Sequence, residues 1–261
     1  MEMKEISIEE KKYIAIEILE QVHEFCMKNN IRYFLYYGSL LGAVRHKGFI
    51  PWDDDIDICM PRPDYERFLK IFKDNKFDIA NYRDNKYLPI IFSKVYNKNT
   101  VGILNNGRNI NYGVAVDIFP LDGFDYCKVL YLKNLYRLYN ITLFPLINDS
   151  EVEESFIKKI IKAIMNKIIS PRTIAKKIDK YAAKQSYENS KRVTTLVENM
   201  DLRITEKKCY ENIQNLVFEG NNCCVPYDYN SVLTCLYGPD YMTPPPENQR
   251  ESLHTEKYYW K

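Results

Sequence analysis

The stretch that most constrains this chain runs from Tyr33 to Met60, YFLYYGSLLGAVRHKGFIPWDDDIDICM. Ile31–Tyr37 is β-branched and aromatic and reads as a buried strand. It ends on Gly38-Ser39, after which Leu40–His46 reads as a short helix. A strand turning through glycine into a helix leaves backbone N–H groups without intrahelical partners, which suits a phosphate. Gly48, Pro51 and Trp52 follow, and then Asp53-Asp54-Asp55-Ile56-Asp57-Ile58. With Asp55–Met60 as a strand, the period of two puts Asp55 and Asp57 on one face. Neighbouring carboxylates repel, and a hard cation such as Mg²⁺ or Mn²⁺, shared with a substrate phosphate, relieves that repulsion.

Competing readings of the acidic run fail on their own residues. A solvated turn does not explain its Trp and Ile neighbours. An EF-hand loop from Asp53 needs glycine at its sixth position and glutamate at its twelfth, where the chain has Ile58 and Asp64. A Walker loop needs Gly-Lys-Ser/Thr, and none follows the first glycine. An Asp-x-Asp of the glycosyltransferase type, holding a metal against a nucleotide diphosphate, remains open. The Gly-Ser turn ahead of Asp55 favours a nucleotidyltransferase-type site instead.

Further positions carry chemistry. Asp117, between Val116 and Ile118, repeats the apolar-acid-apolar pattern of Asp57 and reads as a third metal ligand or a general base. Lys94, in Phe-Ser-Lys-Val, is by spacing either an exposed strand lysine or a point charge on a phosphate. Asp53 either ligates metal or orients its loop. Arg45 is a charged assistant to the phosphate, and His46 either contacts phosphate or donates a proton.

The run GSLLGAVRHKGFIPWDDDIDI with MPRPDYERF resembles the signature of the LicD family, which includes phosphocholine transferases and is related to fukutin-related protein. The similarity continues at Phe92-Ser93-Lys94, at Val116–Gly123 and at Leu236-Tyr237-Gly238, and is weakest between about residues 125 and 205. The resemblance implies a nucleotidyltransferase-like fold and transfer of a phospho-alcohol from a CDP-activated donor to a glycan or lipid-linked glycan. It favours the phosphate role for Lys94, and it implies that Arg250 and His254 lie near the site. The implied chemistry is Mg²⁺-assisted displacement at the β-phosphorus, with Asp55, Asp57 and Asp117 catalytic. Gly38, Ser39, Arg45, His46, Lys94, Trp52, Arg250 and His254 contact substrate. Asp53, Asp55, Asp57 and Asp117 form the metal set. Choline is the expected alcohol, because a quaternary ammonium is recognised through aromatic faces and Tyr36, Tyr37 and Trp52 frame the acids. Tyr36 and Tyr37 cannot both face the site from one strand. Ribitol or glycerol phosphate transfer, NMP transfer and a non-catalytic glycan- or nucleotide-binding module are the alternatives.

The remaining chain sets the frame. Ser7 and Glu10 form a capping box, opening a helix with Ile14, Ile18, Val22 and Phe25 on one stripe that stops near Asn29-Asn30; His23 on it reads as structural. Pro63–Phe72 reads as a helix with Tyr65, Phe68 and Leu69 inward. Phe77–Ala80, Leu88–Tyr96, Thr100–Leu104 and Gly113–Phe119 read as strands whose close spacing favours antiparallel pairing. Residues 127–190 turn helical: Val129–Leu146 carries Leu132, Leu135, Tyr136 and Tyr139, and Glu153–Ile169 sets isoleucines against Lys158, Lys159, Lys162 and Lys167, a pattern suited to peripheral contact with an anionic membrane. A hairpin is expected from Leu216–Glu219 and Cys223–Val225, a helix from Asp228 or Ser231 to Gly238, and an extended segment over Tyr241–Pro246. The expectation is an α+β fold, a mixed or antiparallel sheet flanked by helices. It is read as one catalytic domain over 1–261 with a helical insertion. A net charge of +2 gives no general affinity for nucleic acid. The polar start predicts no secretory signal, no run is long and apolar enough to span a membrane, and seven scattered cysteines without C-x-x-C fit a reduced cytoplasm, at the inner face of the membrane if the basic helix binds there.

Overall fold

A computed structural model describes residues 3–126, 129–147, 170–197, 202–250 and 256–261. Helix α1 (Ile8–Lys28) starts as predicted: Ser7 Oγ accepts from Glu10 N at 3.1 Å, and Glu10 Oε2 accepts from Ser7 N at 3.0 Å. Ile14, Ile18 and Val22 are buried, so its apolar stripe faces the core, and Lys11 is buried beside it. His23 Nδ1 lies 2.7 Å from the Tyr33 hydroxyl.

The strand expected over Ile31–Tyr37 is only β1 (Phe34–Leu35), antiparallel to β2 (Asp57–Pro61). Ile31 gives its N–H to Cys26 O, so the chain is still leaving α1 there. At the other end, Tyr37 takes φ +40 and turns the backbone into helix α2 (Tyr37–Arg45). Gly38 and Ser39 are therefore in the first helical turn and not in a separate turn. The strand from Asp55 starts only at Asp57. Helix α3 (Arg62–Ile71) follows at once, with Pro63 in its first turn, Tyr65 and Phe68 buried and Leu69 partly so.

Strands β3 (Phe77–Ala80), β4 (Ser93–Asn97), β5 (Thr100–Ile103) and β6 (Ala115–Gly123) come next. The run over Leu88–Tyr96 becomes a strand only from Ser93. Pro89 has no N–H for a ladder, and Leu88 and Ile91 are buried as irregular chain instead. The main sheet has the path β1-β2-β6-β4-β3, extended from β6 by β7 (Arg192–Thr194) and β8 (Thr205–Glu206). The pairs β3/β4 and β4/β6 are antiparallel as expected, whereas β2/β6 is parallel, with α3, β3, β4 and β5 forming the connection between them. The class is α+β with a mixed sheet.

Helix α4 (Val129–Ile147) buries Leu132, Leu135, Tyr136 and Tyr139 against α5 (Pro171–Ala182), in a hydrophobic cluster of their own with Tyr82, Ile91, Leu196 and Val197. The expected basic helix at 153–169 lies outside the described residues. Arg62, at the start of α3, joins this cluster to the sheet. It donates to both Asp122 oxygens (2.6 and 2.8 Å) at the end of β6 and to Asp179 of α5 (2.7 Å). A hairpin of β9 (Ile213–Phe218) and β10 (Asn221–Pro226) turns on Glu219 and Gly220, both at positive φ, so both strands are longer than expected. Helix α6 (Tyr229–Tyr237) is capped by Asp228, whose Oδ1 accepts from Ser231 N, and stops at Gly238 with φ +91. Residues 240–243 form a turn, so the extended segment starts later than Tyr241. Strand β11 (Lys257–Trp260) pairs with β5. Among the described residues no helix is long and apolar enough to cross a membrane.

Candidate active site

Three adjacent strands put three charged residues in one row. The parallel register sets Asp57 of β2 beside Asp117 of β6, and the antiparallel register sets Asp117 beside Lys94 of β4. Residues in register share a face of the sheet. Lys94 Nζ donates to both Asp117 oxygens, at 2.5 and 2.6 Å. Burial opposes the charge on Lys94, but the Asp117 carboxylate outweighs it and holds the ammonium well above its ordinary pKa. Lys94 is thus engaged behind Asp117 and does not line the cavity described next.

Helix α2 and the acidic run close on this row from the side. Ser39 Oγ accepts from Asp57 N at 2.8 Å, and Tyr36 N donates to Asp57 O at 2.9 Å, so the first turn of α2 is tied to the start of β2. A Cβ on Gly38 would lie 2.4 Å from Asp53 Oδ2, so that carboxylate rests directly against the N-terminal turn of the helix, where negative charge is favoured. The acidic run alternates. Asp53, Asp55 and Asp57 line the cavity, whereas Asp54 pairs with Lys11 of α1 at 2.9 Å and Ile56 is in the core.

These residues form one wall of a cavity of about 710 Å³. Tyr37, Phe92 and Phe119 form a second wall, with Phe92 and Phe119 centroids 4.6 Å apart and Tyr37 set edge-on to Phe119 at 5.4 Å. A third comes from far along the chain: Tyr237, Asp240, Tyr241, Thr243 and Pro245. Arg45 joins the third wall to the first, donating from Nη1 to Tyr241 O and from Nε to His46 Nε2, each at 2.9 Å. Trp52 carries guanidinium groups of Arg45 and Arg250 at 5.9 and 5.2 Å from its ring. Burial and the neighbouring Arg45 charge push His46 below its ordinary pKa of 6.5, which suits its role as acceptor.

Of the residues singled out in the sequence, Gly38, Arg45, Trp52, Asp53, Asp55, Asp57 and Asp117 line the cavity together. Ser39 is buried behind it on Asp57 N, His46 backs Arg45, and Arg250 reaches Trp52. His254 lies outside the described residues. Tyr37 faces the cavity while Tyr36 is wholly buried in the core, although the two meet at the start of α2 and not on one strand. Phe92, Phe119, Tyr237, Asp240 and Tyr241 escaped the sequence reading. Phe92 and Phe119 each stand two residues from a charged member of the row, so strand period was the available signal. In the 237–245 segment the resemblance touched Tyr237, and nothing local marked Asp240 or Tyr241.

The donor set suits a hard cation, for it is all carboxylate. Among the described residues no three Asp, Glu, His or Cys side chains are gathered closely enough to ligate an ion by themselves, and both Asp117 oxygens already accept from Lys94. Mg²⁺ is commonly held by one or two carboxylates with substrate phosphates completing the shell, and Asp55 with Asp57 fits that smaller set.

The structure thus defines an α+β protein with a carboxylate- and aromatic-lined cavity at the junction of a parallel strand pair and a helix N-terminus. Comparison points the same way: the sequence profile described as LicD/FKTN/FKRP, nucleotidyltransferase domain, matches residues 30–148 of this chain. It is 26% identical to the lipopolysaccharide cholinephosphotransferase LicD of Haemophilus influenzae, over 98% of this chain and 99% of that one. An uncharacterised protein of Rickettsia typhi is 32% identical over 55% of this chain and 45% of its own, and one of Rickettsia prowazekii is 44% identical over 24% of each.

Proposed function

We propose that this protein transfers phosphocholine from CDP-choline to a hydroxyl of a cell-surface glycan, of the lipopolysaccharide or teichoic acid kind, on a nucleotidyltransferase-like fold. The observation that carries the reading is the in-register row Asp57–Asp117–Lys94 beside Asp55 and the first turn of α2. The near full-length similarity to a cholinephosphotransferase supports it. A cytoplasmic setting, with peripheral contact to the membrane that carries the acceptor, belongs to the same reading.

The chain's own residues divide the work. Asp55 and Asp57 would hold Mg²⁺, which when bound supplies charge neutralisation on the diphosphate. The N–H groups at the start of α2 and the Arg45 guanidinium bind phosphate oxygens. Asp117, aimed by Lys94, accepts the proton of the acceptor hydroxyl. That oxygen bonds to the β-phosphorus, and the bond from β-phosphorus to the bridging oxygen breaks, releasing CMP.

Incubation with CDP-choline, Mg²⁺ and lipopolysaccharide or teichoic acid tests this, followed by identification of the released nucleotide. CMP release with choline phosphate on the acceptor is expected, and Asp55→Asn or Asp57→Asn should abolish it while the fold persists. Release of free choline phosphate, with CMP left on the acceptor, would replace it with NMP transfer. No nucleotide product from any CDP-alcohol would leave a binding module.

A further inference from the structure

We propose that Tyr37, Phe92 and Phe119 form the seat of the donor's quaternary ammonium and so set its specificity for choline, an inference that rests on the function proposed above. The three rings meet in one corner of the cavity. Phe119 follows Asp117 by two residues on β6, and Phe92 precedes Lys94 by two residues next to β4. Two strand residues span about 6.6 Å. The four bonds from phosphorus to nitrogen in choline phosphate span about 5 Å at roughly 1.5 Å per bond. A phosphate at the carboxylate row therefore delivers the ammonium to the aromatic row.

The electrostatics point the same way. Asp53 and Asp240 line the cavity in addition to the carboxylates given to Mg²⁺ and Lys94, and Arg45 is the cationic side chain of that lining, beside Trp52. Lys94 lies 5.2 Å from the Phe92 centroid, but its charge is balanced by Asp117. A quaternary ammonium has no N–H to donate and gains from ring faces and diffuse negative charge; a primary amine or a polyol gains from acceptors instead.

Tyr37 is built for the position. Its φ of +40 is a conformation that bulky residues rarely adopt, and such strain persists where surrounding structure enforces it. Here the hydroxyl is held 2.8 Å from Thr195 Oγ1, ahead of the junction with α2, which fixes the ring against Phe119.

The test compares choline phosphate with 3,3-dimethylbutyl phosphate, the neutral compound of the same shape, by calorimetry on the full chain with Mg²⁺. Wild type should prefer choline phosphate by about tenfold or more, since ring faces favour only the charged compound. Phe92→Leu and Tyr37→Leu keep apolar bulk at half-buried positions and should bring the ratio close to one. Phe119→Leu is a more buried third variant, read only if its circular dichroism is native. A ratio unchanged in both of the first two variants overturns the proposal. A ring-dependent ratio without turnover of any CDP-alcohol would leave the seat standing and remove the transfer reading. CDP-choline turnover with a ring-independent ratio would do the reverse.

Discussion

Gly38→Ala should damage turnover without damaging the fold. At the first turn, where Gly38 stands, alanine in place of glycine gains less than the roughly 0.5–1 kcal/mol it gains in a helix interior. Against that, the new Cβ would meet Asp53 Oδ2 at 2.4 Å, about 1 Å inside ordinary carbon contact. The atom it meets is the end of a side chain, so the carboxylate rotates aside at little cost. Tm should then stay within about 3 °C of wild type, at roughly 2–4 °C per kcal/mol for a chain of this size. A carboxylate displaced by about 1 Å from the cavity wall should lower kcat/KM by on the order of 10- to 100-fold. The same substitution one turn later behaves oppositely. A Cβ on Gly42 would meet the Gly48 carbonyl oxygen at 2.3 Å, and that atom is backbone. Gly42→Ala should cost about 1–3 kcal/mol and lower Tm. Both are read by differential scanning fluorimetry and by CMP release from CDP-choline. Gly38→Ala with kcat/KM within twofold of wild type would refute the reasoning, because the place of Asp53 would then not matter.

Arg62→Met leaves the fully buried Asp122 without its bidentate partner and should cost about 3–5 kcal/mol, a Tm fall of about 6–20 °C; a loss under 1 kcal/mol in urea titration would show that the network is not structural. Lys94→Met removes the cation from Asp117 and should lower kcat more than tenfold while raising KM for the donor little, since Lys94 does not line the cavity; a pure KM effect would return Lys94 to direct phosphate contact. His46 is held below 6.5 by burial and by Arg45, so it is neutral at pH 7 and accepts from Arg45. Its stabilising effect is present above the ordinary value and lost as pH falls through the lowered one, because the unfolded state binds the proton first. Donor KM should therefore rise only on the acid side of 6.5, with His46→Gln flattening the profile; an inflection above 6.5 would contradict this.

What the chain says locally, it says clearly. The Ser7–Glu10 box, the Ile14–Ile18–Val22 stripe and the Leu132–Tyr139 stripe are legible because caps and helical period involve residues within four positions of each other. The alternation of Asp53, Asp55 and Asp57 against Asp54 and Ile56 is legible for the same reason, with a period of two. The positive φ of Tyr37 is not, since no residue type announces it. It exists because Tyr36 N and Ser39 Oγ must both reach Asp57 while the tyrosine ring packs on Phe119. Asp117 could be picked out by its flanking residues, but its partner could not, because Lys94 reaches it only through the antiparallel register of β4 on β6.

The sequence by itself determined which residues are acidic, which segments are helical and that Asp55 and Asp57 share a side. Tertiary structure decided the rest of the site: the parallel pairing of β2 with β6, the aromatic corner, and the arrival of Tyr237, Asp240 and Tyr241 from beyond α6. The physical reason is range. Caps and periods are settled by neighbours in the chain, whereas strand partners are chosen by the burial of whole faces, and that is a property of all the strands together.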